Sequence, residues 1–255
     1  MQIYGDYHTH TYYSDGKGSM EDNVKEAVSK GLKQIMISDH GFNRRIKFMK
    51  RNELDELRVE ADRLSKLYNI KVFVGVEANL ISAEGDIDVL PEDMKKLDFI
   101  VCGFHKIIKP KRFIDFIRVF LPNYFYEITG FTPSEYRIKK NTEIYIKMLE
   151  KNKIDILAHP NHDFAIDVPA VARKSKEVGS LFEINGRHIE WSDSDVMQMN
   201  KDRIMFILSS DAHKSEQVGD VTKCENLVKK YNIDLNCIAN LKEMPHFINR
   251  KEGQA

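Results

Sequence analysis

Histidines and carboxylates are the residues in this chain best able to do chemistry, and their spacing groups them. His8-Thr9-His10 sets two imidazoles two residues apart. On an extended backbone, positions i and i+2 face the same side, so both rings can reach one metal ion. Ser14-Asp15-Gly16 then supplies a carboxylate in a turn. Further along come Ser38-Asp39-His40, Gly75-Val76-Glu77, Cys102-Gly103-Phe104-His105, Ala158-His159-Pro160 and Ser210-Asp211-Ala212-His213. Imidazole and carboxylate donors suit first-row divalent ions such as Zn, Mn or Fe(II). Six histidines and three carboxylates (Asp15, Glu77, Asp211) are too many for one ion. They suit two or three ions, with at least one carboxylate bridging.

The elements that must position these groups are legible as short apolar runs. Seven candidate strands are Ile3–Tyr7, Gln34–Ser38, Val72–Val76, Phe99–Val101, Ile154–Ala158, Leu181–Ile184 and Ile204–Leu208. Several are continuous apolar or β-branched runs, as expected of strands buried on both faces. Ligand-type residues stand at the C-terminal ends of six of the seven. In parallel α/β folds those ends converge on one face, where active sites are built. A single histidine or aspartate at a strand end is ordinarily a cap or a satisfied polar group. Six of nine histidines in that one class of position point instead to a metal site. Asp15 is the weakest member, because a turn aspartate before glycine has an ordinary structural use.

Helix signals lie between the strands. Ser19-Met20-Glu21-Asp22 reads as a capping box opening a helix that runs to about Lys30, with Gly31 as its stop. A second helix is predicted from Asn52-Glu53 to Tyr68, with Leu54, Leu57, Ala61, Leu64 and Leu67 on its apolar face. Thr132-Pro133-Ser134-Glu135 opens a third, running to about Asn152 with Pro133 at its first position. Alternating strands and helices predict parallel βαβ units in an α/β barrel or open sheet. The stretch 106–131 is too long for a plain βα loop and reads as an insertion, either a lid or substrate wall or a surface excursion. The segment from Lys214 onward carries no ligand motif and is expected to complete the outer helical layer. No repeat or linker interrupts residues 1–255, so one domain is expected.

Composition bounds the partners. Lys+Arg and Asp+Glu balance at 39 each, which gives no broad electrostatic reason to expect nucleic acid or an anionic membrane. No apolar run is long enough to span a bilayer, and the N-terminus lacks the pattern of a secretory signal. Three separated cysteines form no framework, so a reduced, cytoplasmic protein is expected. The chain has no GxxxxGK[ST] loop, Rossmann fingerprint or GxSxG serine, which argues against nucleotide-driven transfer and serine hydrolysis. It carries no signal for an oligomeric state.

Taken in order, His8-Thr9-His10-Thr11 with Ser14-Asp15-Gly16, then Ser38-Asp39-His40, Gly75-Val76-Glu77, His159-Pro160 and Ser210-Asp211-Ala212-His213 resemble the motifs of the PHP (polymerase and histidinol phosphatase) superfamily. The resemblance covers residue 1 to about 215 and implies a distorted (β/α)7 barrel. It also implies a trinuclear centre. His8, His10, Glu77 and Asp211 would hold one ion. Glu77, His105 and His159 would hold a second, with Glu77 bridging. Asp15, His40 and His213 would hold the third; some family members have histidine in place of Asp15. The Glu183-Ile184-Asn185 run is similar to that of small phosphatase members.

The activity expected is hydrolysis of a phosphate monoester on a small phosphorylated metabolite, histidinol phosphate among the candidates, by a metal-bridging hydroxide. Glu77, Asp211 and His213 are the catalytic candidates; the proton for the leaving group would come from a metal-bound water, or from Asp211 or His213 if either is transiently free, and the sequence does not decide which. Arg187 and Lys106 are candidate phosphate cations. His162 is a candidate substrate contact, and Tyr12 and Trp191 are candidate pocket walls, with core packing the default for aromatics. Two other readings stand beside this one. A phosphodiesterase or 3′–5′ exonuclease would want a basic excess to hold a nucleic-acid backbone, which is absent. A non-catalytic metal-binding protein would be expected to have lost ligands, and all nine candidates are present.

Overall fold

A computed structural model describes residues 1–249. Seven strands run in the order β1 (Gly5–Asp6), β2 (Gln34–Ile37), β3 (Lys71–Asn79), β4 (Phe99–Gly103), β5 (Ile156–Leu157), β6 (Leu181–Asn185) and β7 (Phe206–Ser209). Each pairs in parallel with its neighbour in sequence, so the sheet order is the chain order. Apart from Lys71, every residue in these strands is buried, which is why they read as unbroken apolar runs. The result is a nearly closed, distorted (β/α)7 barrel.

Two cores follow from this curvature. Tyr7, Met36, Phe73, Phe99, Val101, Ile156, Leu181 and Ile207 fill the inside of the ring. A larger cluster lies between the strands and the surrounding helices, among them Met20–Ser29, Leu54–Tyr68, Glu135–Lys151, Val168–Val178, Asp193–Lys201 and Thr222–Lys230. The capping box at Ser19 forms as expected, and Gly31 takes a positive φ of 74° beyond that helix's end.

The seam between β7 and β1 closes without a full ladder. His10 donates its N–H to the Ala212 carbonyl at 2.8 Å near the mouth. Lower down, Asn240 enters the gap as a substitute strand. Its Nδ2 donates to the carbonyls of Gly5 (3.0 Å) and Leu208 (2.8 Å), and its Oδ1 accepts from Leu208 N–H (3.1 Å). Asp6 adds carboxylate acceptors for Ser210 and Gly219 across the same seam.

Several expectations need correction. β1 and β5 are shorter than their apolar runs, because the neighbouring residues bond to loops or to the seam instead of extending the ladder. Glu77 lies inside β3, not at its end. Leu67 is 58% exposed, so the apolar face of its helix is Leu54, Leu57, Ala61 and Leu64. Ser134 caps the Glu135–Lys151 helix, which puts Pro133 outside it. The insertion is helical: a turn at Phe113–Asp115, a π-helical stretch at Phe116–Phe120 and a helix at Leu121–Thr129. It packs on the barrel's flank, Phe120 stacking on Phe104 at 5.4 Å, and does not form a lid. The tail supplies an outer helix as expected but then crosses beneath the ring. There Phe247 packs against Phe99 (4.2 Å) and Tyr7 (5.1 Å), and Asn249 bonds to Asp155 at the foot of β5.

Candidate metal centre

All nine sequence-identified ligand candidates meet at the C-terminal mouth of the barrel. Glu77 is central. Its Oε2 lies 3.4 Å from His8 Nε2, 3.4 Å from His10 Nε2 and 2.7 Å from His40 Nδ1. Its Oε1 lies 2.7 Å from His159 Nε2 and 3.0 Å from His105 Nε2. The i, i+2 reading of His8 and His10 is thereby met: both rings face one carboxylate oxygen. Asp211 Oδ1 is 3.3 Å from His10 Nε2 and 3.8 Å from His8 Nε2. Asp15 Oδ1 is 3.4 Å from His40 Nε2 and 3.2 Å from His213 Nε2.

These donors form three close groups: His8, His10 and Asp211; His40, Glu77 and His105; and His10, Asp15, His40 and His213. The second group differs from the set the family resemblance implies, with His40 where His159 was expected. His159 instead hydrogen-bonds to Glu77.

Two ligand candidates sit on unusual backbone, His159 at φ 26° and Asp211 at φ 53°. Such conformations cost of order 1–3 kcal/mol each and persist only where surroundings impose them. Gly103 leaves room for the His159 ring: a Cβ there would stand 2.8 Å from His159 Cε1.

Two of the rings and the central carboxylate are held in the forms that bind a cation, while burial would lower His8, His40 and His159 but the carboxylates they face raise them. Burial holds His10 down to about 3, helped by His40, and His105 down to about 4. Both rings therefore keep lone pairs at neutral pH. Burial also pulls His40 down, but the carboxylates of Glu77 and Asp15 outweigh it and raise it to about 9. Glu77 stays well below the usual carboxylate range: burial pushes it up, and His105, His40 and His8 more than offset that. Buried His8 Nε2, His10 Nε2, His40 Nδ1, Glu77 Oε2, Asp15 Oδ1 and both His105 ring nitrogens have no hydrogen-bond partner. Such orphaned polar atoms in one cluster are costly unless something satisfies them, and divalent ions fit that donor set.

Three further residues support the cluster: Glu183 and Asn185, noted in the sequence only as part of the Glu-Ile-Asn run, and Arg44, which was not singled out. Glu183, fully buried inside β6, accepts from His8 Nδ1 at 2.7 Å and from the His159 backbone N–H at 2.7 Å. That bond fixes the proton on Nδ1 and aims the Nε2 lone pair of His8 at the cluster. Asn185 spans Glu183 (2.9 Å) and Asp211 (3.2 Å). Arg44 donates to Asp15 Oδ2 at 2.8 Å. The signal for Glu183 was a carboxylate in a buried strand otherwise apolar up to Asn185; Arg44 lies in a loop and had none.

A cavity of about 310 Å³ opens above the cluster, lined by Arg44, Lys106, Arg187, His162, His188 and the ligand candidates Asp15, His40, Glu77, His105, His159, Asp211 and His213. Both predicted phosphate cations reach it. Arg187 donates to His213 Nδ1 at 2.6 Å, and Lys106 pairs with Asp163 at 2.6 Å. From the insertion only Lys106 and Ile107 line the cavity. Tyr12 is exposed beside Tyr13 in a different groove. Trp191 packs on Phe182 and Phe206 in the core. Neither aromatic forms a wall of the cavity.

A parallel-stranded barrel with imidazole and carboxylate donors gathered at its C-terminal mouth defines a class, the metal-dependent hydrolase barrels. The PHP domain model matches residues 6–194, and the chain belongs to the PHP domain family. It is 26% identical to a protein of Acetivibrio thermocellus named "probable phosphatase", over 99% of this chain and 98% of that one. It is 28% identical to another so named from Clostridium botulinum, over 95% and 92% of the two chains. In fold it is similar to a histidinol phosphate phosphatase from Lactococcus lactis crystallised with zinc, L-histidinol and phosphate, at TM-score 0.59, 14% identity and coverage of 91% and 95%. The chain is a hydrolase of the phosphatase type. Among the described residues no helix is long and apolar enough to cross a membrane.

Proposed function

We propose that this protein hydrolyses phosphate monoesters of small metabolites, using two or three divalent ions drawn from Zn, Mn and Fe(II). The observation that carries this reading is the pairing of the orphaned donor cluster with three cations, Arg44, Lys106 and Arg187, around one cavity of about 310 Å³. That volume is at the small-ligand end of binding sites, too confined for a nucleic-acid duplex.

In this reading His8, His10, Glu77 and Asp211 hold one ion, Glu77, His105 and His159 a second, and Asp15, His40 and His213 a third. Bound ions supply Lewis acidity and an acidified water nucleophile. The chain's own groups do the rest. Glu183 fixes the tautomer of His8, and Asn185 holds Asp211. Arg187 and Lys106 orient the phosphate through charge-assisted hydrogen bonds. Arg187 donates to His213 Nδ1, which leaves Nε2 facing Asp15 as the ligand atom. The proton for the departing alkoxide would come from Asp211 or His213 once either is released from its ion. Three free, buried cysteines support the cytoplasmic reading, and one ring of strands supports a single domain.

The test is a phosphoester panel assayed with Mn, Zn and Fe(II) forms of the enzyme and a His159→Ala control. The panel holds histidinol phosphate, sugar phosphates, nucleotides, an aryl monoester, an aryl diester and a short DNA. Metal-dependent phosphate release from monoesters, lost in the control, is expected. Faster turnover of the diester or DNA would replace this reading with a phosphodiesterase. No turnover by protein shown to carry its ions would leave a metal-binding protein.

A further inference from the structure

Among the described residues, one trio of potential ligands lies outside the Glu77 cluster: His162, His188 and Glu190. One donor atom from each lies within 4.8 Å of the others. The imidazoles of His162 and His188 stack with centroids 3.7 Å apart and planes at 28°. His162 Nδ1 is 2.6 Å from Glu190 Oε1. The ring centroids of His162 and His188 stand 5.6 and 6.1 Å from that of His159, so the trio adjoins the main cluster without sharing a residue with it.

The trio joins two loops that follow different strands, and both are held before any ligand arrives. Asn161 Nδ2 donates to the Glu190 carbonyl at 2.5 Å, and Trp191 Nε1 donates to the Pro160 carbonyl at 2.9 Å. Asn185 Oδ1 accepts from the backbone N–H of Arg187 (2.8 Å) and His188 (3.0 Å), which fixes where the His188 ring begins. A lone ion pair between His162 and Glu190 would need neither the second ring nor this double clamp.

We propose that His162, His188 and Glu190 form a separate zinc site on the cavity wall. Two imidazoles and one carboxylate are a donor set that zinc accepts in sites that keep an open position. His162 and His188 line the cavity, so that open position faces the space above the main cluster. An ion there would stand on the wall that also carries Arg187. Glu190 is exposed, which makes this ion exchangeable with solvent. The site does not depend on which phosphoester is the substrate.

The experiment is metal analysis after dialysis of the loaded enzyme against zinc-buffered solution, comparing wild type with Glu190→Gln and His188→Gln. Circular dichroism of each variant checks folding, and Glu190 is exposed enough for its amide to be tolerated. Cobalt replacement with visible spectroscopy gives a second readout of ligand number. Wild type should hold about one zinc per chain more than either variant, with the remaining ions equal in all three. Equal zinc in all three proteins overturns the site. Loss in His188→Gln with full retention in Glu190→Gln removes the carboxylate and overturns the three-residue site as drawn.

Discussion

At the scale of single residues, the centre is a set of imidazoles organised by two buried glutamates with different tasks. Glu77 faces the ligand atoms from both of its oxygens, whereas Glu183 faces the far side of His8 and the His159 backbone. Replacing Glu183 with Gln should keep the fold but let His8 take the wrong tautomer. The expected loss is about 10–100-fold in metal affinity, read as metal retained on dialysis, with turnover recovering at high free metal. Glu77→Gln should not be rescued in that way, because the bridging charge itself is gone. Most of the nine ligand candidates were legible as metal-type residues just past predicted strand ends; Glu77 lies inside its strand and Asp15 came from a turn motif. Glu183 was visible in the Glu-Ile-Asn run but without its task, and Arg44 was hidden in a loop without pattern. Which histidines approach which oxygen of Glu77 depends on ring rotation, and residue spacing does not encode that.

At the scale of elements, the seam and the loops beneath it decide whether the mouth keeps its shape. Asn240 makes three hydrogen bonds to buried backbone groups of β1 and β7 or their neighbours. Asn240→Leu strands those groups, at about 1–3 kcal/mol for each buried polar group left unsatisfied. Denaturant unfolding should show a loss of several kcal/mol without change of slope. A gentler probe is Asp86, in the turn after β3, which ties the insertion through Lys111 (3.0 Å) and the Glu135–Lys151 helix through Lys151. Burial tends to raise its carboxyl, but Lys151, Ser82 and Lys111 prevail and lower it to about 2. A folded-state value below the unfolded one means stability present above the ordinary value of 3.8 and lost as pH falls through about 2. Asp86→Asn should therefore cost about 1 kcal/mol at pH 7, a partly screened pair, and the gap from wild type should close toward pH 2. The strands and main helices were readable from periodicity. The short ladders of β1 and β5 were not, because their apolar runs continue past the last strand pair.

At the scale of the whole molecule, the donor cluster ties the barrel's stability to the ions it would hold. Stripping the ions with a chelator should lower the melting temperature as well as abolish activity. Ligands that bind only the folded state stabilise it by mass action, and their removal leaves the orphaned donors at the mouth uncompensated. A scanning-calorimetry comparison of loaded and stripped protein checks this; an unchanged midpoint would mean that the ions are not coupled to the fold. Phe247→Ala should cost about 3–5 kcal/mol, as for a large buried aromatic removed from a packed interior, although it lies at the opposite end from the chemistry.

Asn240 and Phe247 follow all seven strands in the chain, which bears on how the protein is made. A ribosome releases β1 well before the residues that close the seam and fill the base of the ring. Until they emerge, the edges of β1 and β7 lack their bridge, and unpaired strand edges are the kind of surface that invites pairing with another chain. The seam is thus latched from outside the strands. A chain cut before Asn240 lacks both contacts and yields an unlatched barrel, a substrate for chaperones and proteases in place of a shorter enzyme.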